Sequence, residues 1–360
     1  MKMTEKTLKT WEAGVRRVVP YTPGEQPSRK DIIKLNTNEC PYPPSPRVLE
    51  AVREFDADSL RLYPDPDAAV LTSALARYLG VEEEQVFVGV GSDDVLAMAF
   101  LTFFNTDRTI LFPDITYSFY DVWAELFRIP YRCPKLDDHF RLKKEDYLTE
   151  NGGIVIANPN APTGVALETD VIEEIIAANP DSVVIVDEAY VDFGADSVLP
   201  LVDKYDNLLV VQTFSKSRAM AGMRIGFAVG CPKLIRYLKD VKFSFNSYTM
   251  NRPSIVWGTA SIQDEEYFRR TVERIVTTRE RTKRELARLG FSFPDSRTNF
   301  IFAAHESIPA RELFEALKKE GIYVRWFNRL GIDNYLRISI GTDEEMDALI
   351  GFLGTYIAEK

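Results

Sequence analysis

From residue 86 the chain alternates short β-branched runs with helical segments, and no other feature constrains its fold as tightly. The runs are "QVFVGVG", "RTILFPD", "IPYRCP", "GIVIANP", "SVVIVDEA", "NLLVVQTF" and "RIGFAVG", each bounded by turn residues. Segments of helical apolar spacing, among them "SDDVLAMAFLTFF" and "ETDVIEEIIAAN", stand between several of them. Apolar strands alternating with helices predict an α/β domain with a mostly parallel sheet. In such sheets ligands gather at the loops leaving strand C-termini, so the residues there carry the functional reading.

The flanks differ. The first 46 residues are dense in proline ("VVPYTPGEQPSRKD", "NECPYPPSP"), which excludes a helix or central strand and predicts an extended arm over 1–46. A helix over "DAAVLTSALARYLG", stopped by Gly80, opens a large domain over 47–245. Composition shifts near residue 240. The long amphipathic "EEYFRRTVERIVTTRERTKRELARLG" then links or backs a small α+β domain over 246–360, with strands "TNFIFAA", "IYVRW" and "NYLRISIG".

At 360 residues the chain can bury a large core in two lobes. Its net charge of −10 opposes nonspecific binding to nucleic acid or anionic membrane. The cysteines, Cys40, Cys133 and Cys231, are three and scattered, which fits a reducing compartment and neither a disulfide framework nor a zinc site. "MKMTEKTLKTWEAG" carries no apolar core of signal-peptide length, and no window spans a membrane, so the expected location is cytoplasmic. The two histidines, His139 and His305, lie in no triad or metal-ligand spacing and both read as solvated; no metal is expected.

Four features stand at strand ends. Asp187 follows four apolar residues in "SVVIVDEAY", and a buried carboxylate there needs a cationic or donor partner. Lys216 ends the run of "NLLVVQTFSKS"; a partly desolvated amine suits Schiff-base chemistry, although an isolated lysine at a strand end is more often a snorkelling one. Arg224, eight residues on, can bind an oxyanion together with Ser215. In "VFVGVGSDDVL" a strand runs through Gly89 and Gly91 into a helix opening at Ser92 and Asp93, an anion cup of free N–H groups. One ligand answers all four: pyridoxal phosphate, with a phosphate for the cup and Arg224, an aldehyde for Lys216 and a basic ring nitrogen for Asp187.

With these residues in place the sequence resembles the fold type I pyridoxal-phosphate-dependent aminotransferases, most closely the histidinol-phosphate aminotransferase family. The matching stretches run along the whole chain: "PYTPGEQP", "KLNTNECPYPPSP", "LYPDP", "GVGSDDVL", "TYSFY", "NPNAPTG", "VDEAYVDF", "TFSKSRAMAGMRIGF" and "YLRISIGT". The resemblance implies Lys216 as the cofactor-linked lysine, Asp187 as partner of the ring nitrogen and Tyr190 as donor to the ring hydroxyl. It implies Tyr117 stacked on the ring, with Gly91, Ser92, Asp93, Ser215 and Arg224 around the phosphate. Tyr63 is expected to reach that phosphate from the other subunit, which makes the protein a homodimer with shared sites and sets the arm against the small domain and the partner. Arg337 is expected to fork onto a substrate anion, with Tyr21, Asn38 and Arg325 lining the same end.

One position departs from the family. Where an asparagine usually precedes "PTG" and bonds the ring hydroxyl, this chain has Ala161. Asn160 is the candidate substitute, with Asn158 the alternative if the loop is re-routed, and a cis bond is expected before Pro162. The activity implied is amino transfer from L-histidinol phosphate to 2-oxoglutarate. An aromatic or broad-specificity aminotransferase and a threonine-phosphate decarboxylase are the rival readings.

Overall fold

The computed structural model describes residues 10–27 and 31–360. The expected arm over 1–46 thus falls partly outside the described residues. Its described part lies across both lobes. Strand β1 (Ile33–Lys34) adds in parallel to a strand of the C-terminal lobe, Ile33 facing Ile322. The Arg16 guanidinium donates to the carbonyl of Leu126 at 2.8 Å, and Tyr21 stacks on Phe119 at 4.2 Å. Helix α1 (Pro46–Glu54) starts where Ser45 accepts from the Val48 N–H and Pro46 fills the first turn; α2 (Ala69–Leu79) stops at Gly80, whose φ of 72° is left-handed.

The large lobe then follows the alternation. In chain order come β2 (Val86–Gly89), α3 (Ser92–Phe103), β3 (Ile110–Leu111), α4 (Tyr120–Phe127), β4 (Tyr131–Arg132), β5 (Gly153–Ala157), α5 (Thr169–Ala178), β6 (Val184–Asp187), β7 (Leu208–Thr213), β8 (Gly226–Gly230) and α6 (Pro232–Phe245). The seven strands form one sheet in the order β2-β8-β7-β6-β5-β3-β4, parallel except for β8. Strands β5, β6 and β8 are buried at every residue because helices cover both faces of the sheet, which is why they read as unbroken apolar runs. One face packs Leu71, Ile172 and Ile176; the other packs Leu96, Phe100 and Trp123.

Helix α7 (Arg252–Ile262) lies beyond residue 245, where the sequence places the division, yet its Ile255 and Ile262 pack in the large-lobe cluster with Leu71. The long helix α8 (Glu265–Arg288) buries Ile275 and Leu286 against the second sheet. That lobe holds β9 (Phe291–Ser292), β10 (Phe300–His305), α9 (Ala310–Glu320), β11 (Ile322–Tyr323), β12 (Arg325–Trp326), β13 (Leu336–Ser339) and α10 (Asp343–Ala358). Its antiparallel sheet runs β12-β13-β10-β9. His305 is not solvated as expected: it is buried, its Nδ1 accepting from the Ile308 N–H.

The topology explains how distant residues meet. Ala157, Asp187 and Val211 lie in register at the C-terminal edge of β5, β6 and β7. Lys216 is three residues past Thr213, the end of β7. Because β8 returns antiparallel, with Thr213 opposite Gly226, the residues that precede β8 come back to the same edge, and Arg224 is among them. Gly89 pairs with Gly226 in turn, so the start of α3 sits there too. A Cβ on Gly226 would come within 2.2 Å of the Ser92 nitrogen; only glycine lets the helix start descend this far.

Candidate active site

These loops enclose a cavity of about 130 Å³ lined by Ser92, Asp93, Tyr117, Ala157, Pro159, Ala161, Asp187, Ala189, Tyr190, Thr213, Ser215, Lys216, Ala221 and Arg224. Eight of the residues singled out from the sequence stand on its wall: Ser92, Asp93, Tyr117, Asp187, Tyr190, Ser215, Lys216 and Arg224.

Part of this wall is an anion cradle. Among the described residues no N-cap side chain closes the start of α3, where Gly91 stands, which leaves its first N–H groups open. Gly91 is left-handed at φ 83°, and a Cβ there would meet the Arg224 guanidinium at 2.4 Å. The Arg224 Nη2 donates to Asp93 at 3.0 Å and its Nη1 to the Ser215 hydroxyl at 3.4 Å. Tyr117 donates to the other Asp93 oxygen at 2.7 Å. Burial, reinforced by the Asp93 charge, holds the Tyr117 phenol well above its ordinary value.

The same lining holds Asp187, 5% exposed, accepting from the Tyr120 hydroxyl at 2.7 Å and from the Ala189 N–H at 3.2 Å. Burial pushes its carboxyl up from 3.8 to about 6, against the lowering effect of the two donors. Among the described residues no cation pairs with it. Tyr120 was not foreseen: within "TYSFYDVWAELF" it reads as an ordinary core position of a helix, and only the fold turns its hydroxyl onto Asp187.

Lys216 is half-buried, and its Nζ donates to the Thr37 carbonyl at 3.2 Å. Its amine is thus held by a neutral backbone oxygen and by no carboxylate among the described residues. Tyr190 lies below it, the amine 5.7 Å from the ring centre.

The remaining candidates lie elsewhere. The Asn160 side chain donates to the Ile115 carbonyl at 2.9 Å and to Thr163 at 3.0 Å, and accepts from Thr116 at 2.8 Å; this turn, not the cavity, uses up its amide, so the expected substitution for the missing asparagine is corrected. Asn158 accepts from the Leu167 N–H, and Ala161 itself lines the cavity. Both Asn158–Pro159 and Ala161–Pro162 are cis. Asn38 directs its amide to Tyr190 and Ser339 rather than to open space. Arg325 donates to the carbonyls of Thr22 and Pro23, tying the arm down, instead of reaching into the cavity. Arg337 donates to the Asn36 carbonyl at 3.1 Å, while its buried Nε has no acceptor among the described residues. Burial pulls its guanidinium below the ordinary value, opposed by the nearby phenols of Tyr190 and Tyr21. Tyr63 is 77% exposed, stacked on Tyr248 at 4.7 Å and away from the cavity of its own chain.

The family model for class I and II aminotransferases matches residues 30–353. The chain belongs to that family. Histidinol-phosphate aminotransferase of Lactococcus lactis subsp. cremoris is 52% identical over 351 residues, 98% of this chain and 99% of that one. That of Clostridium beijerinckii is 50% identical over 342 residues, 95% and 96% of the two chains. Among solved structures, the Sinorhizobium meliloti histidinol-phosphate aminotransferase in complex with pyridoxal-5'-phosphate superposes with a TM-score of 0.83 at 25% identity, covering 91% of each chain. The fold is thus that of an aminotransferase, as the resemblance implies, built on the mostly parallel sheet that the strand pattern predicts. Among the described residues no group of His, Cys, Asp and Glu could hold a metal ion, and no helix is long and apolar enough to cross a membrane.

The site sets a stability cost with a defined sign. With its carboxyl raised to about 6, folded Asp187 binds more protons than the unfolded chain between pH 3.8 and 6, so its contribution to stability falls as pH rises through that window. Replacing Asp187 by Asn removes the buried charge, keeps an acceptor for the Ala189 N–H and turns an Nδ2 donor onto the Tyr120 oxygen in place of the bond that hydroxyl donated. The cofactor-free Asp187→Asn protein is expected to be more stable than wild type at pH 7.5 by about 2 kcal/mol, with the gap closing near pH 4. Glu188, raised to about 7 by burial, gives residual pH dependence of the same sign in both proteins. Urea unfolding at the two pH values measures the difference; equal stability at pH 7.5 contradicts the burial cost.

Proposed function

We infer that this chain is a pyridoxal-phosphate-dependent histidinol-phosphate aminotransferase. The observation that carries the cofactor is the cavity itself. It brings together, on one wall, an uncapped helix start with Arg224 and a buried carboxylate with no cationic partner among the described residues. A ligand with a phosphate at one end and a protonatable ring nitrogen at the other satisfies both. The named relatives, about half identical along nearly the whole chain, carry the choice of amino donor.

When bound, pyridoxal phosphate supplies an aldehyde for the substrate amine and a ring that accepts the electron pair left as the Cα–H bond breaks. The residues do the rest. Lys216 would hold the cofactor through its Nζ, and its free amine would be the group that moves a proton at the substrate carbon. Asp187, its charge sustained by Tyr120 and the Ala189 N–H, holds the proton on the ring nitrogen. The N–H groups at Ser92 and Asp93, with Ser215 and Arg224, hold the phosphate. Tyr117 would cover the ring and Tyr190 would donate to its hydroxyl, since both line the cavity. Arg337, with a free Nε donor in a buried setting, is the group for the substrate anion, helped by Tyr21.

We also propose a cytoplasmic homodimer in which Tyr63 completes the partner's site. Tyr63 is exposed together with its chain neighbours Leu60 and Leu62, and it stacks on the half-exposed Tyr248. All three cysteines are free, in keeping with a reducing compartment.

Purified protein loaded with pyridoxal phosphate is expected to form glutamate from L-histidinol phosphate and 2-oxoglutarate, at least about tenfold more efficiently than from phenylalanine under the same conditions. Faster turnover of phenylalanine assigns an aromatic aminotransferase, and carbon dioxide release from phosphothreonine assigns a decarboxylase. Shared sites have their own test. Tyr63→Ala and Lys216→Ala proteins, each nearly inactive, are expected on subunit exchange to regain roughly a quarter of wild-type activity, because half the dimers carry one intact site of two. No recovery despite exchange places Tyr63 outside the partner's site.

A further inference from the structure

Along the cavity wall built from the ends of β5 and β6, the side chains are Ala157, Pro159, Ala161, Asp187, Ala189 and Tyr190. Tyr190 brings the one hydroxyl on this wall, and no amide is present. A phenol has a single proton, which it can give either to the ligand or to the protein. Which way it points decides whether this wall offers a donor at all.

The neighbours of Tyr190 settle that direction. Asn38 Nδ2 donates to the Tyr190 hydroxyl at 2.9 Å, so the phenol oxygen accepts on the protein side. The Asn38 amide is itself fixed. Its Oδ1 accepts from the Ser339 hydroxyl at 2.9 Å, while the Asn38 backbone N–H donates back to the same Ser339 oxygen at 2.9 Å. Turning the amide over would leave the Ser339 oxygen accepting twice and its proton without an acceptor. The Asn38 carbonyl accepts from Asn299 at 3.0 Å, and the Ser339 N–H donates to the Leu35 carbonyl at 3.0 Å. Asn38, Ser339 and Asn299 are all at most 2% exposed, so water does not compete for these bonds. Phe300, edge-on to Tyr190 at 5.2 Å, holds the ring.

We propose that Asn38 and Ser339 are positioning residues that fix the Tyr190 hydroxyl proton toward the cavity, making Tyr190 the donor that Ala161 cannot be. The proposal rests on the cofactor reading above. It also gives Asn38 a part different from the substrate contact its sequence context suggests. Ser339 lies two residues from Arg337 on β13, so the strand that carries the anion-binding arginine also carries the lock on Tyr190.

A pH titration of the visible absorbance of the loaded protein tests this. A donor on the ring oxygen draws negative charge away from the nitrogen that joins the cofactor to Lys216, so misdirecting the donor lets that nitrogen keep its proton to higher pH. Ser339→Ala is expected to raise the titration midpoint by about half a unit and Asn38→Gly by up to about one unit. Glycine is unstrained at the Asn38 φ of 55°, so the second variant tests the idea if the first does not fold. In a Tyr190→Phe background neither change should move the midpoint further. Equal shifts with and without the Tyr190 hydroxyl reduce the pair to a structural role and overturn the proposal. Unshifted single variants beside a shifted Tyr190→Phe protein overturn it as well. A wild-type protein with no such absorbance band removes the cofactor reading instead.

Discussion

A carboxylate buried at the edge of a parallel sheet without a matching cation is the constraint on which this structure turns. Asp187 ends β6 among apolar neighbours, and the protein softens the cost with one phenol and one backbone N–H but does not cancel it. A nearby lysine or arginine would have neutralised it at the expense of its chemistry. Both candidates are held off: Arg224 is engaged by Asp93, and Lys216 by the Thr37 carbonyl. The unbalanced charge is then available to a cationic ring, and the free protein bears the penalty in stability.

The second constraint is geometric. Asp187, Lys216, Arg224 and the Gly91–Ser92 turn are separated by up to 133 positions, yet strand register delivers them to one edge. The single reversed strand, β8, does most of this. It returns the chain to the edge within a dozen residues of β7 and brings β2, with the helix that follows, alongside. Close approach at Gly226 and Gly91 completes the cradle, since a Cβ at either would strike backbone or guanidinium. The cavity is therefore a property of the sheet's topology more than of any one motif.

Much of this was legible in the sequence. Strands buried on both faces leave unbroken apolar runs, and a charged residue closing such a run has few places to go; Asp187 and Lys216 stand out for that reason. The stop at Gly80 and the long helix over 265–288 follow from local chemistry in the same way. Side-chain direction was not legible. Tyr120 carries no signal beyond its helical spacing, and Asn160 is expected at the ring and Arg325 along the substrate end, because their partners, Asp187, Ile115 with Thr116, and the arm, are distant in sequence or lie in an irregular turn. The position of α7 escaped for a related reason: its apolar face does not say which of two lobes it will cover.

The account depends on one amine meeting one cofactor. Borohydride reduction of the protein loaded with pyridoxal phosphate, followed by peptide mass mapping, tests that meeting directly. The account predicts a single pyridoxyl adduct, on the peptide containing Lys216, and its loss when Asp187 and Arg224 are both replaced by uncharged residues. An adduct on any other lysine, or none at all in a folded protein, contradicts it.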